Sequence, residues 1–248
     1  MPTDNWPVDF TYISRRLVRE IVQQHEAARA HNMPSIRLAL GPAAVATERA
    51  MPDYDNVYDL ARRATKAVED NTGTLDYPGA YVRAELNLHC CQFRVLHGWR
   101  GSGRQEIAGF FTDEVTKQGR IFMMLVGSIS NYIGRSPEPP GRGWFPSDLY
   151  GLYDILDNAL ERTDDEVTRE AWVDDHDLDD AARFGVAIRV AGHMSQRFPA
   201  RRLEVLAQVH HHQQSAVVRN KRFRSLVLGA PIWIVTPSPS RLAGLELS

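Results

Sequence analysis

Six consecutive apolar residues, Ile121–Val126, run without interruption into Gly127 and Ser128. A run of this length with no alternation reads as a strand buried on both faces that stops at a turn, and the rest of the chain has to be organised around it. Ser128, Ser130 and Asn131 follow at once, with Tyr132, Ile133 and Gly134 behind them, so small polar groups gather at the mouth of the most buried strand. Backbone amides in such a Gly-Ser turn can face an anion or a carbonyl group. The plainer account is that Gly127 supplies a φ that other residues do not tolerate. Both readings stay open at this level.

Before that strand, Asp9–Ser14 is β-branched and aromatic and reads as a short strand whose last residue can cap a helix. Leu17, Val18, Ile21, Val22, His25 and Ala28 then recur at helical spacing, with His25 at the edge of the apolar face. Two strands, Ile36–Leu40 and Ala43–Glu48, are expected around the turn signal Gly41-Pro42. A second helix is capped by Asp55 or Asn56, carries the stripe Val57, Leu60, Ala61, Ala64, Ala67 and Val68, and ends at Asn71-Thr72-Gly73. From Gly79 the period changes to two. Val82, Ala84, Leu86, Leu88 and Cys90 share one face, and Tyr81, Arg83, Glu85, Asn87 and His89 the other. That polar row suits a solvated sheet face or the wall of a polar pocket.

Further strands are expected at Gln92–Trp99 and Glu106–Thr112, giving an antiparallel meander with 120–126. The segment 135–146, RSPEPPGRGWFP, is too rich in proline for a helix or a central strand, and its Trp144 and Phe145 can tether it to the core or form a lid. A third helix begins at Pro146-Ser147 with Leu149, Leu152, Tyr153, Leu156, Ala159 and Leu160 on one face. Residues 161–180 are acidic and linker-like and give the candidate division in an otherwise single domain spanning 1–248. They lack the glycine that a calcium loop requires. Alternation then predicts strands over Phe184–Val190 and Leu203–Val209, and the terminal run Phe223–Thr236 reads as two strands broken by Gly229-Ala230-Pro231, a bend or bulge.

Composition excludes some classes. With 29 Lys+Arg against 31 Asp+Glu the formal charge is −2, which gives no bulk electrostatic reason to expect nucleic acid or an anionic membrane as partner. The longest apolar run is far short of the ~20 residues that a membrane span needs. Met1-Pro2-Thr3-Asp4 is no export signal, and the only cysteines, Cys90 and Cys91, point to opposite faces of one strand, so a reducing cytoplasm is expected. The phosphate cradles GxxxxGK[ST] and GxGxxG are missing, and Gly127-Ser128-Ile129-Ser130-Asn131 has no glycine after its serine, so no nucleophile elbow forms. Cys90 or Cys91 with His89 or His97 could make a Cys-His nucleophile, although buried strand cysteines are usually inert. His210 and His212 have the spacing of two ligands on one strand face, yet nothing nearby completes a zinc set. The basic stretch Arg219–Arg224 sits where a hairpin turn belongs.

Six segments taken together, LARRAT at 60–65 with DNTG at 70–73, GAYVRAEL at 79–86, LVGSISNYIG at 125–134, PSDLYGLY at 146–153, RRLEVLA at 201–207 and VLGAPIW at 227–233, resemble the caspase- and TPR-repeat-associated (CATRA-like) proteins of bacterial conflict systems. The resemblance covers most of the chain. It implies a cytoplasmic sensor or adaptor beside an effector protein, and it carries no catalytic set.

The expectation is therefore an α+β fold, a largely antiparallel sheet of about ten strands or two related halves, with three main helices packed on it. The function expected is a ligand-sensing or protein-interaction module, with no cofactor, no metal, no nucleic acid and no membrane; a homo-oligomer stays open. The alternative is a small-molecule enzyme. The candidate site comprises Ser128, Ser130 and Asn131 in the turn, Arg83 and His89 on the polar row, and Trp144 on the proline loop, arranged for an anionic or nucleotide-like ligand.

Overall fold

The computed structural model describes residues 9–31, 55–96, 104–133, 180–218 and 220–237. In chain order the elements are β1 (Phe10–Ile13), α1 (Arg15–His31), α2 (Val57–Val68), β2 (Thr72–Gly73), β3 (Tyr81–Leu96), β4 (Arg104–Thr116), β5 (Gly119–Ser128), α3 (Asp180–Ser195), β6 (Ala200–Val218) and β7 (Lys221–Val235). The expected strands at 36–40 and 43–48, the proline loop with Trp144, the helix from Ser147, and the acidic stretch up to Asp179 lie outside the described residues.

The period-two pattern of 81–90 sets the architecture. Val82, Leu86 and Leu88 of β3 join Ala108 and Phe110 of β4, Ile121, Met123 and Leu125 of β5, Leu203, Val205 and Ala207 of β6, and Val227 and Ile234 of β7 in one buried cluster. Pairing runs from β3 to β4, to β5, to β7, to β6 and back to β3, so this cluster is the interior of a closed five-stranded barrel. Two short strands sit outside the ring: β1 pairs with the end of β7, and β2 with the start of β3.

Closure is achieved by strands that change partners along their length. Tyr81–His89 of β3 pairs with β6, and His89–Leu96 pairs with β4. β7 lies along β6 throughout, while its other edge is shared by β5, up to Gly229, and then by β1, from Trp233. Pro231 falls between those two neighbours, where a missing backbone N–H takes the least from the ladder. Register shifts at Leu206/Ala207 and Val209/His211 are the bulges that Gly229-Ala230-Pro231 led one to expect, but β7 stays one strand through them.

The opposite face of the same wall is covered by α3. Phe184, Ala187, Ile188 and Ala191 pack with Phe111, Phe122, Met124, Leu226 and Leu228 in a second cluster. β5 is thus covered from inside and outside, and Ile121–Gly127 are all buried, as the uninterrupted apolar run required.

Three expectations are corrected. Among the described residues there are seven strands closed into a barrel with two additions, and not about ten in an open sheet; 81–96 and 221–235, each read as two strands, are single bent ones. The fold remains α+β and largely antiparallel, with β5–β7 and β2–β3 parallel. Phe184–Val190, read as a strand, is helix: its stripe at positions 184, 187, 188 and 191 has a period of 3.6, which residues apolar on nearly every side had concealed.

Residues 15–70 form a separate unit from the barrel. In it α1 and α2 pack on one another. Leu17, Val18, Ile21 and Val22 of α1 and Leu60, Ala61, Ala64 and Val68 of α2 are buried, Asn56 caps α2 by accepting from the Asp59 N–H at 3.1 Å, and Asp59 binds Arg62 and Arg63 at 2.6 and 2.7 Å. His25 is half-buried, at the edge of its stripe.

Gly192 is exposed in the last turns of α3, and a Cβ there meets nothing within 4 Å. Gly192→Ala should therefore raise stability by about 0.5–1 kcal/mol through the lost backbone freedom of the unfolded chain. Urea denaturation checks it, and an unchanged or lower midpoint contradicts it.

Candidate functional site

The turn after β5 is held by an aromatic group. Ser128 opens a single 3-10 turn, Ile129–Asn131; its hydroxyl lies 2.8 Å from that of Ser130 and accepts from the Ser130 N–H at 3.4 Å. Ser128 and Ser130 are half-exposed, whereas Asn131 is buried and donates from Nδ2 to the Tyr12 hydroxyl at 3.2 Å. Tyr12 enters the interior cluster edge-on to Phe110 and Tyr132, with ring centroids 5.2 and 5.8 Å away. Its hydroxyl presses on Gly127 so closely that a Cβ there would overlap it. Gly127 is not among the residues of positive φ. The glycine is thus required for space, and a special φ is not what it supplies.

On β3 the polar row lines the outer wall. Glu85 stands directly opposite Glu204 in the β3–β6 ladder, a like-charge pairing that is unfavourable alone. Each carboxylate takes an arginine from the diagonal: Arg83 binds Glu204 at 2.6 Å and Arg202 binds Glu85 at 2.9 Å. Arg83 also lies over the Trp233 ring at 5.5 Å. Farther along, the Asn87 amide donates to Glu114 at 3.1 Å, and His89 stacks on Phe111 at 5.1 Å with Nδ1 2.5 Å from the Phe198 carbonyl, which requires that nitrogen to carry the proton.

These positions separate the expected site residues. Val82 and Tyr12 belong to the interior cluster, so Arg83, next to Val82 on β3, faces out over Trp233 while Asn131 reaches in to the Tyr12 hydroxyl. His89 faces out near the α3–β6 turn, and Trp144 lies outside the described residues.

Of the other nucleophile and metal candidates, His97 lies outside the described residues and the rest can be placed. Burial pushes the Cys90 thiol up to about 11, against a smaller opposing effect of Arg201, and burial with the neighbouring Cys90 pushes Cys91 to about 12. A thiol in that range is protonated at neutral pH and is a poor nucleophile. A bulge between Val209 and His211 breaks the period-two relation of the histidines, so His211 stands opposite Leu228 and His212 opposite Val227. Among the described residues no group of three or more His, Cys, Asp or Glu is placed to hold a metal ion.

One serine does lie near a histidine: Ser225 Oγ is 3.4 Å from His212 Nε2. Ser225 is fully buried and its hydroxyl donates to the Leu75 carbonyl at 2.5 Å, so the pair anchors a loop and presents no attacking oxygen. That loop, residues 74–80, closes one end of the barrel with Leu75 in the interior cluster and Asp76 bound to Arg224 at 2.6 Å.

The same end carries what sequence reasoning missed. β4 and β6 arrive there, β3, β5 and β7 leave it, and the barrel's three described exposed large apolar side chains belong to its connections: Tyr77 in the closing loop at 79% exposure, Val115 just before the β4–β5 turn at 72%, and Val217 just before the β6–β7 turn at 67%. An aromatic in Tyr77-Pro78-Gly79 and a valine two residues from Lys117 were signals for it, because apolar residues at turns have no core to enter.

Compared with known proteins, residues 9–236 match the model of a family described as a family of unknown function (DUF7019). No curated protein and no solved structure matches the chain.

Two outcomes follow from the geometry. Gly127→Ala should destabilise the barrel by about 1–3 kcal/mol, as overpacking does, and Tyr12→Phe should recover part of that loss by removing the hydroxyl; a double-mutant cycle with no coupling would contradict the contact. Iodoacetamide should label neither cysteine in the folded protein at pH 8. Since both thiols are raised in the folded state, their contribution to stability is full below the unfolded value near 9 and is lost as the pH rises through about 11 to 12; thermal melts across that range check the sign, and Cys91→Ala should flatten the decline.

Proposed function

The chain belongs to the family of unknown function DUF7019, so its role is read from its own geometry, and we propose that it is a protein-interaction or ligand-sensing module that works through its surface. The observation that carries this reading is the gathering of Tyr77, Val115 and Val217 at one end of the barrel. Burying a large apolar side chain is worth about 1.5–3 kcal/mol, and three of them left in water on neighbouring connections return that energy only when something covers them.

The barrel interior supports the same reading. Side chains from all five strands, with Tyr12 and Leu75 at its two ends, fill the space that a barrel ligand would occupy. The ion-paired outer row of β3 and β6 supports it too, because Arg83 reaches a ligand only by releasing the buried Glu204 carboxylate.

For a small ligand, the half-exposed hydroxyl pair of Ser128 and Ser130 is the place that remains from the sequence-derived site. A small-molecule enzyme with an anion- or nucleotide-binding pocket there is the alternative. The CATRA-like resemblance extends the first reading to an adaptor that meets an effector protein in a bacterial defence or signalling system.

Nile red, a neutral dye that brightens on apolar surfaces, tests the surface directly. Fluorescence should rise on titration with the folded protein and should fall by more than half in a Tyr77→Ser, Val217→Ser double variant of unchanged melting temperature. Equal fluorescence from both proteins overturns the reading. A thermal-shift screen of nucleotides and anionic metabolites tests the small-ligand arm, since a ligand at ~100 times its dissociation constant adds about 2.7 kcal/mol; a shift that survives Ser128→Ala removes the hydroxyl pair as its site.

A further inference from the structure

The end of the barrel that exposes Tyr77, Val115 and Val217 is also where unmatched positive charge collects. Lys117 sits in the β4–β5 turn, and Lys221 and Arg222 begin β7 directly after the β6–β7 turn; all three are exposed, and among the described residues none of them forms an ion pair. Arg120 and Arg224 lie just behind them and are already matched, by Asp113 at 2.5 Å and by Asp76 at 2.6 Å. The third carboxylate at this end, Glu114, accepts from Asn87. Carboxylates here are therefore committed to partners within the barrel, and the cations at the rim are not. This is a local surplus on a chain whose formal charge is −2.

Backbone pairing brings these groups together. Arg120 of β5 is opposite Phe223 of β7, and Val115 is opposite Arg120, so the start of β5, the start of β7 and the end of β4 form one row. Val217 of β6 is opposite Arg222, which places an exposed valine beside an exposed arginine on neighbouring strands. The closing loop bearing Tyr77 is tied into the row through Asp76 and Arg224.

We propose that this end of the barrel is a docking surface for an acidic, apolar-containing segment of a partner protein, in which carboxylates meet Lys117, Lys221 and Arg222 while aliphatic or aromatic side chains cover Tyr77, Val115 and Val217. The inference rests on the interaction-module reading and adds the partner's chemistry to it. A nucleic-acid backbone fits less well. Its charge is uniformly negative, and it offers nothing apolar to the two valines flanking the cations. A protein segment with interspersed acidic and apolar residues matches both kinds of group, and the exposed cations would hasten its approach.

Fluorescence anisotropy with the full chain tests the proposal. The probe is a labelled synthetic peptide in which runs of Asp and Glu flank a Leu-Trp-Val centre; the controls are the same peptide with Asn and Gln in place of the acids, and a single-stranded oligonucleotide carrying the same label. Binding of the acidic peptide is expected, with at least tenfold loss of affinity in a Lys221→Glu, Arg222→Glu variant and again in Val217→Ser. Both changes fall on exposed side chains, so the melting temperature should hold. Binding of the neutral peptide with equal affinity overturns the assignment of an acidic partner but leaves the apolar surface standing. Tighter binding of the oligonucleotide overturns it in favour of nucleic acid. Absence of binding by any probe, with the Nile red response intact, overturns the docking proposal alone; loss of both removes the interaction reading as well.

Discussion

Closing five strands on themselves obliges each to give a full row of side chains to an interior with no room for solvent, and most other features of this protein follow from that obligation. β3 supplies Val82, Leu86 and Leu88 at strict alternation, so its other row, from Arg83 to His89, has to live on the outer wall. The ends of the tube must be stopped. Tyr12 enters beside the turn after β5, where Gly127 makes room for its hydroxyl and Asn131 satisfies it, and Leu75 closes the opposite end on a loop held by Ser225 and Arg224. Removing either stopper opens a cavity whose lining loses its contact partners.

The outer wall shows a second constraint. Register puts Glu85 against Glu204, and the fold tolerates this only because Arg83 and Arg202 lie on the diagonals. An arginine that answers a buried carboxylate is a structural group before it is a recognition group, and a polar row is a poor guide to a binding site until its cross-strand neighbours are known.

How much of this was legible in the sequence depended on how local its cause was. The double burial of Ile121–Val126, the inward row of β3, the cap at Asn56 and the hairpin that joins β6 to β7 all depend on neighbours within a few residues, and all could be read. Barrel closure could not, because it depends on β3 meeting β6 and β5 meeting β7 across more than a hundred positions. The helix at 180–195 was hidden by its own apolarity, which fits period two as well as 3.6. Gly127 was correctly singled out and wrongly explained: the residue that needs it, Tyr12, comes from the other end of the chain. The serine turn was visible, but the inward turn of Asn131 to Tyr12 and the commitment of Arg83 to Glu204 were not.

The long reach of the closing contacts also determines how the protein comes into being. Arg83 and Glu204 are 121 positions apart, and Leu75 and Ser225 are 150 apart, so the seam between β3 and β6 is formed late. Synthesis at about 5–20 residues per second leaves the β3 edge without its partner for on the order of 10 s. During that interval the half of β3 that will meet β6 is an open edge with an apolar face, the kind of edge that captures other chains. The hazard ends when β6 arrives. A barrel of this topology is therefore most vulnerable while it is being made, and a truncation before residue 200 would leave that edge open permanently.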